Sequence, residues 1–374
     1  MAACSWSWRW SSALVWLVVA SLHAHAYLRT PLQQHQRRGY RAARPVQMVV
    51  ALPPFMTSLL RKASSASSGT LTTGGASAAS ASASASAAAS ASATASASVE
   101  LPWATSVSPK RSLAYMPALA TQLDLIRALG MKCVSVEERF VHQSSTVKPA
   151  RIGNLCFESD KFRKVRLTYF DAGESVQVFN ALWYPAFEYD APLLGVDLIS
   201  LGPTRVLSVV DFQPLHPTAE YSVKYIAPLE PIRSKYPDLH GKMSGKFYDD
   251  TSFFSSQMLF GRFTDESKVD GVVLPSHAEY LAAYVDLVLR SSPNVDPAAV
   301  EVVKARQAAY DTYSAAKDPA VGLFDAYFGQ QWSRDFVYDF LFDRATPPSS
   351  AASQSTHSFK VDAQTGVPTI SPKR

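Results

Sequence analysis

The stretch between Lys164 and Leu215 constrains the fold more than any other. Four strand-like runs follow one another there with only short turns between them. "KVRLTYFDAG" alternates Val165, Leu167 and Tyr169 against Arg166, Thr168 and Phe170. "SVQVFNALWYP" follows after an Ala-Gly-Glu turn. "LLGVDLISL" and "RVLSVVDFQPL" are then joined through Gly-Pro-Thr. Connections this short cannot carry a parallel crossover, so consecutive strands must be antiparallel neighbours in a meander. A further strand, "SSQMLFGRF", is predicted to join after an irregular Pro-containing stretch. Helical spacing precedes the sheet in "SLAYMPALATQLDLIRALGMK", with Gly130 as a C-cap. It returns after the sheet in "HAEYLAAYVDLVLRS", in "DPAAVEVVKARQAAYDTYSAAK" behind the Asp296-Pro297 start signal, and in "DPAVGLFDAYFGQQWSRDFVYDFLFD". No βαβ alternation occurs. The predicted class is α/β, a three-layer α/β/α sandwich with a central antiparallel sheet.

The chain of 374 residues has a net charge of +5, but the charge is unevenly placed. The first acidic residue is Glu100. Residues 1–99 carry eight basic residues (Arg9, Arg29, Arg37, Arg38, Arg41, Arg44, Arg61 and Lys62). The remainder has 28 basic against 31 acidic residues, a net of −3. Nucleic-acid binding therefore does not follow from the overall charge. Residues 1–26 have the layout of a signal peptide: a basic residue, a short apolar run and the small-x-small pattern Ala24-His25-Ala26. Residues 27–99 begin Arg-rich and acid-free, as transit peptides do, and pass into an Ala/Ser-rich linker that offers little surface to bury. The pair resembles bipartite leaders that deliver proteins to the plastid stroma; a secreted protein with a basic pro-segment is the other reading. Residues 100–345 are predicted to form one domain, without a membrane segment in the mature form and with nothing requiring more than a monomer. Residues 346–374 are predicted to be a disordered tail. Of three cysteines only Cys133 and Cys156 lie in the domain, and the histidines lack metal-ligand spacing. No bound cofactor is expected.

The strands carry misplaced polar residues. By alternation, Asn180 interrupts the face of Val176, Val178, Leu182 and Tyr184, and Asp197 interrupts that of Leu193, Ile199 and Leu201. A carboxylate among apolar neighbours is costly unless paired, hydrogen-bonded or protonated. Gly195 beside Asp197 would leave room for a group approaching the sheet. Asp197 stands open between a functional and a structural role. Asp211, where a chain-reversing loop begins, is read as an acceptor for free backbone N–H groups.

The same runs resemble the ferredoxin-dependent bilin reductases. The resemblance covers nearly all of residues 150–344 and rests on "RLTYFDAG", "VQVFNALWYP", "LLGVDLISLG", "LSVVDFQPL" and "KDPAVGLFDAYFGQQW". Within the family these strings look most like the members that form phycoerythrobilin. The resemblance implies an open-chain tetrapyrrole bound between sheet and helices. It implies single electrons from reduced ferredoxin and protons from the protein. The reaction it implies is reduction of the A-ring diene of 15,16-dihydrobiliverdin to phycoerythrobilin, with the preceding bilin reductase as a further partner. Two other readings remain: a sibling that makes 15,16-dihydrobiliverdin from biliverdin, and a non-catalytic bilin carrier. Asp197 matches the family's central catalytic aspartate. Asp318 matches a second one on the helical side, although "KDPAVGLF" is also an ordinary helix start. Asn180 and Thr168 stand where phycocyanobilin-forming relatives carry a histidine and a glutamate. Arg262 matches a position that contacts a bilin propionate, against the alternative of a solvated surface arginine. For the acidic ferredoxin, two basic clusters are candidates: Lys161, Arg163, Lys164 and Arg166, or Arg233, Lys235, Lys242 and Lys246.

Overall fold

The computed structural model describes residues 103–243 and 252–347, together with the backbone of 357–361 and 368–372. The two leader assignments, residues 1–26 and 27–99, lie outside the described residues, as does Lys246.

The central runs form the expected meander. β1 (Lys132–Cys133), β2 (His142–Ser144), β3 (Arg151–Glu158), β4 (Phe162–Asp171), β5 (Val176–Pro185), β6 (Leu193–Leu201), β7 (Val206–Gln213) and β8 (Leu259–Phe263) make one sheet. Its order is β1-β3-β4-β5-β6-β7-β8, with β2 also on β3, and the strand pairs are antiparallel. Side chains therefore separate onto two faces.

The back face is covered by α1 (Met116–Ala128) and α2 (Leu274–Arg290). The buried positions of α2, among them His277, Tyr280, Leu281, Tyr284 and Val288, recur at three- and four-residue intervals and form one stripe. Polar ties fix the layer. The Trp183 indole N–H donates to Gln122 (2.9 Å), and the Tyr284 hydroxyl donates to the Trp183 carbonyl (3.0 Å). The segment Val269–Arg290 is long and apolar enough to cross a membrane, but here its stripe faces the sheet.

The front face is covered by α3 (Pro297–Lys317), α4 (Ala320–Phe328), α5 (Gln330–Asp335) and a π-helical turn at Phe336–Leu341. Asp296 caps α3 by accepting the Ala298 N–H (3.0 Å). From α3, Asp311 accepts from the Tyr184 hydroxyl (2.6 Å), and the Tyr310 hydroxyl donates to Gln213 (2.5 Å). Further along, Phe170 meets the rings of Tyr327 and Phe328 edge-on. The α/β/α class is as the sequence predicts.

Three local expectations need correction. The final helical run is broken at Gly329, whose φ of +88° ends α4 and starts α5. The strand "SSQMLFGRF" begins only at Leu259, because Ser255 is turned toward Asp211. The tail read as disordered contains an antiparallel pair, His357–Val361 with Pro368–Pro372; its Phe, Val, Thr and Ile residues favour extended backbone over the Ser/Ala/Pro-rich flanks.

Candidate active site

Register builds the site. Asn154, Thr168, Asn180, Asp197, Val209 and Phe260 stand directly opposite one another across β3 to β8 on the front face. The row is sealed at its ends, where Asn154, Thr168 and Phe260 are buried. In the middle, Asn180, Asp197 and Val209 are only half-buried. Val178, Ile199, Leu201 and Leu207 on the same face are half-buried too. This leaves an apolar patch of sheet, open to a ligand, with Asp197 at its centre.

Two sets of hydrogen bonds hold the row, one at Asn154 and Thr168 and one at Asn180 and Asp197. Asn154 donates to the Phe140 carbonyl (2.6 Å), and the Thr168 hydroxyl donates to Asn154 Oδ1 (2.7 Å). Arg166 Nη1 donates to Asn180 Oδ1 (2.5 Å), and Asn180 Nδ2 donates to Asp197 Oδ1 (2.7 Å). Arg166 is buried, and its Nε donates to the Leu341 carbonyl (3.1 Å).

Desolvation by the surrounding protein and the nearby charge of Asp318 push the Asp197 carboxyl up to about 7, against the opposing pull of Asn180 and Arg166. Asp318 closes α3 and accepts the Ala320 N–H (2.8 Å). Burial raises its pKa too, opposed by that bond and by Arg166. The capping role is therefore real, and it coexists with an electrostatic influence of Asp318 on Asp197. Such a site can hold a proton at neutral pH in contact with a bound molecule.

The family model described as ferredoxin-dependent bilin reductase matches residues 120–343. The chain belongs to this family. It is thus an oxidoreductase that acts on a bilin with electrons from ferredoxin. A 15,16-dihydrobiliverdin:ferredoxin oxidoreductase from Nostoc punctiforme is 43% identical over 206 residues, covering 55% of this chain and 84% of the relative. The protein of the same name from Gloeobacter violaceus is 42% identical over 196 residues, covering 52% and 80%. Tomato phytochromobilin synthase, solved in complex with biliverdin, superimposes with a TM-score of 0.57 at 22% identity, over 62% of this chain and 83% of that one. It supports the fold.

The relatives overturn the expected phycoerythrobilin-forming reaction on 15,16-dihydrobiliverdin, since they carry the name of the sibling enzyme. The reason is visible in the fold. "RLTYFDAG", "VQVFNALWYP", "LLGVDLISLG" and "LSVVDFQPL" are the four central strands. They record the scaffold of the reductase, and not which double bond it reduces.

The other sequence assignments divide. Asn180 and Asp197 meet as adjacent members of the row. Arg262, opposite Leu207, is exposed on the same face with its guanidinium over the Phe260 ring (5.1 Å) and stands at the rim of the patch. Thr168 is buried with its hydroxyl directed to Asn154, so it buttresses the row and is not part of the open surface. Gly195 leaves no room for a ligand, because a Cβ there would lie 2.7 Å from Gln213 Oε1. Asp211 accepts the Ser255 N–H (2.9 Å) and hydroxyl (2.5 Å), the structural role expected, although the N–H comes from the approach to β8.

The first basic cluster is not a docking face. Lys161 donates to the carbonyls of Val288, Leu289 and Ser291 at the end of α2. Arg163 approaches Asp311 (3.9 Å) and Asp343 (3.7 Å), Lys164 pairs with Asp343 (3.0 Å), and Arg166 is the buried partner of Asn180. In the second cluster Lys235 pairs with Glu279 (2.6 Å), Arg233 Nε donates to the Met258 carbonyl (3.4 Å), and Lys242 is exposed. Arg166, grouped by sequence with the docking candidates, belongs instead to the site through its bond to Asn180. Its alternation with Val165 and Leu167 put it on the front face, but only the register reveals Asn180 as its partner.

Proposed function

We propose that this reductase converts biliverdin to 15,16-dihydrobiliverdin. The observation that carries the chemistry is Asp197, a carboxyl raised to about 7 at the centre of an open apolar sheet face. The choice of substrate follows the name shared by the relatives at 43% and 42% identity. Reducing the C15=C16 double bond takes two electrons and two protons. Reduced ferredoxin delivers the electrons one at a time, and the protein needs no bound flavin or metal. Asp197 donates a proton to the bilin radical formed after an electron arrives. Asp318, across the opening, is the second carboxyl able to hold a proton near the substrate. The bilin lies on the apolar patch, and Arg262 at the rim pairs with a propionate carboxylate. Asn180 belongs to the substrate wall through its hold on Asp197.

The test offers the purified protein biliverdin or 15,16-dihydrobiliverdin with reduced ferredoxin and follows the absorbance. Biliverdin should be consumed to 15,16-dihydrobiliverdin, and 15,16-dihydrobiliverdin should persist. Bound but unreduced biliverdin would refute the reading. We also propose delivery to the plastid stroma by residues 1–99; a reporter carrying only that leader should reach the plastid, and secretion of the reporter would exclude it.

A further inference from the structure

We propose that Arg166 is a positioning residue for the proton donor: through Asn180 it fixes which oxygen of Asp197 carries the transferable proton. This inference rests on the proton-donor role of Asp197, but its test does not need turnover.

The argument follows from donor and acceptor inventories. A guanidinium has donors only. The atom of Asn180 facing Arg166 Nη1 is therefore the carboxamide oxygen, as the 2.5 Å contact has it. The carboxamide is planar, so its NH2 is directed the other way, onto Asp197 Oδ1 at 2.7 Å. A nitrogen that only donates there makes Oδ1 an acceptor whether Asp197 is ionised or neutral. When Asp197 is neutral, Oδ1 is the carbonyl oxygen and the proton sits on Oδ2. Among the described residues no hydrogen bond is made to Oδ2, and Asp197 is half-exposed to the patch. Arg166 is itself held in place: its Nε is anchored on Leu341, its guanidinium lies 5.4 Å from the Phe342 ring, and it is buried between β4 and the turn that ends the front layer. Without Arg166, Asn180 could rotate its carboxamide and present oxygen to Asp197, and the proton would bridge the two side chains instead of facing the substrate.

The groups facing Asp197 are Asn180 from β5, Arg166 from β4, Asp318 from the end of α3, and Tyr310 from α3. Of these, only Arg166 is cationic.

Infrared difference spectra of the ligand-free protein, recorded against pH, read the protonated carboxyl of Asp197 directly. Its C=O band is identified by its loss in Asp197→Asn. In Arg166→Met the carbonyl loses an enforced donor, so the band should move to higher wavenumber. Its titration midpoint should rise by about one pH unit, since both a cation and a donated bond are lost. Asn180→Leu cuts the same relay and should shift band and midpoint in the same directions, which keeps the test available if Arg166→Met fails to fold. Arg166→Lys, still a donor-only cation, should stay close to wild type. A band and midpoint unchanged in folded Arg166→Met, or in Asn180→Leu, overturn the proposal. Failure of the wild-type protein to reduce biliverdin, with these shifts present, would sink the functional reading and leave the placement of the proton standing.

Discussion

Asp197 is balanced between opposing influences: desolvation and Asp318 raise its pKa, while Asn180 and Arg166 lower it. With the carboxyl titrating at about 7, the protonated donor is lost as pH rises through that value. The rate of bilin reduction should fall above neutrality, and a pH–rate profile measured at saturating reduced ferredoxin checks this. Asp318→Asn removes the like charge and should lower the Asp197 pKa, moving that limb toward lower pH; a limb that stays in place would separate the two acids. Asp197→Asn should still bind biliverdin, since the apolar patch is untouched, while stalling its reduction. Absorbance titration measures the first and ferredoxin-driven turnover the second. A raised pKa also has a sign for stability. A group whose folded-state pKa lies above its unfolded value contributes stability that is complete below about pH 4 and is lost as pH rises to about 7. Asp197 and Asp211, each raised to about 7, both act in that direction.

At the level of elements, β7 and β8 are joined by more than their ladder. Asp211 near the end of β7 accepts both groups of Ser255, which turns the chain just before it enters β8. Asp211→Ala leaves the Ser255 N–H without its acceptor and should cost about 1–3 kcal/mol, read as a lower urea midpoint. That role was legible in the sequence, because a carboxylate at a strand end beside a loop has free N–H groups to meet. The strands themselves were legible for a similar reason: short connections permit only one pairing. What could not be read was anything that depends on register. Arg166 and Asn180 lie on neighbouring strands, and a lone arginine in an alternating run looks like any charged side chain. Gly195 misled in the same way, since the absent side chain suggested space that Gln213 fills across the β6–β7 ladder.

Across the whole molecule, the cations of "KFRKVR" bind the layers together and do not form a surface for a partner. Lys164 is buried with its ammonium on Asp343 and on the Phe340 carbonyl. Lys164→Glu puts a carboxylate into that buried position against Asp343, whose own side chain is 38% exposed, and should lower stability, which thermal unfolding should report. A rise in ferredoxin KM with unchanged stability would return this cluster to the surface. Basic residues were grouped by nearness in sequence, but the register shift between Phe162 and Lys164 lets Arg163 and Lys164 both turn to Asp343 in the front layer while Lys161 ties the end of α2, so the group is consumed inside the fold.

The six-residue row has a consequence for how such a protein can change. Each of its members faces the front, while the hydrogen bonds to Gln122 and the rings of α2 engage only side chains of the back. The chemistry is thus inscribed on one side of a plane whose other side keeps the molecule together. Exchanging Asn180 or Val209 rewrites what a bound pigment meets without disturbing a single contact behind the sheet, so new reactions can arise on this scaffold one strand position at a time.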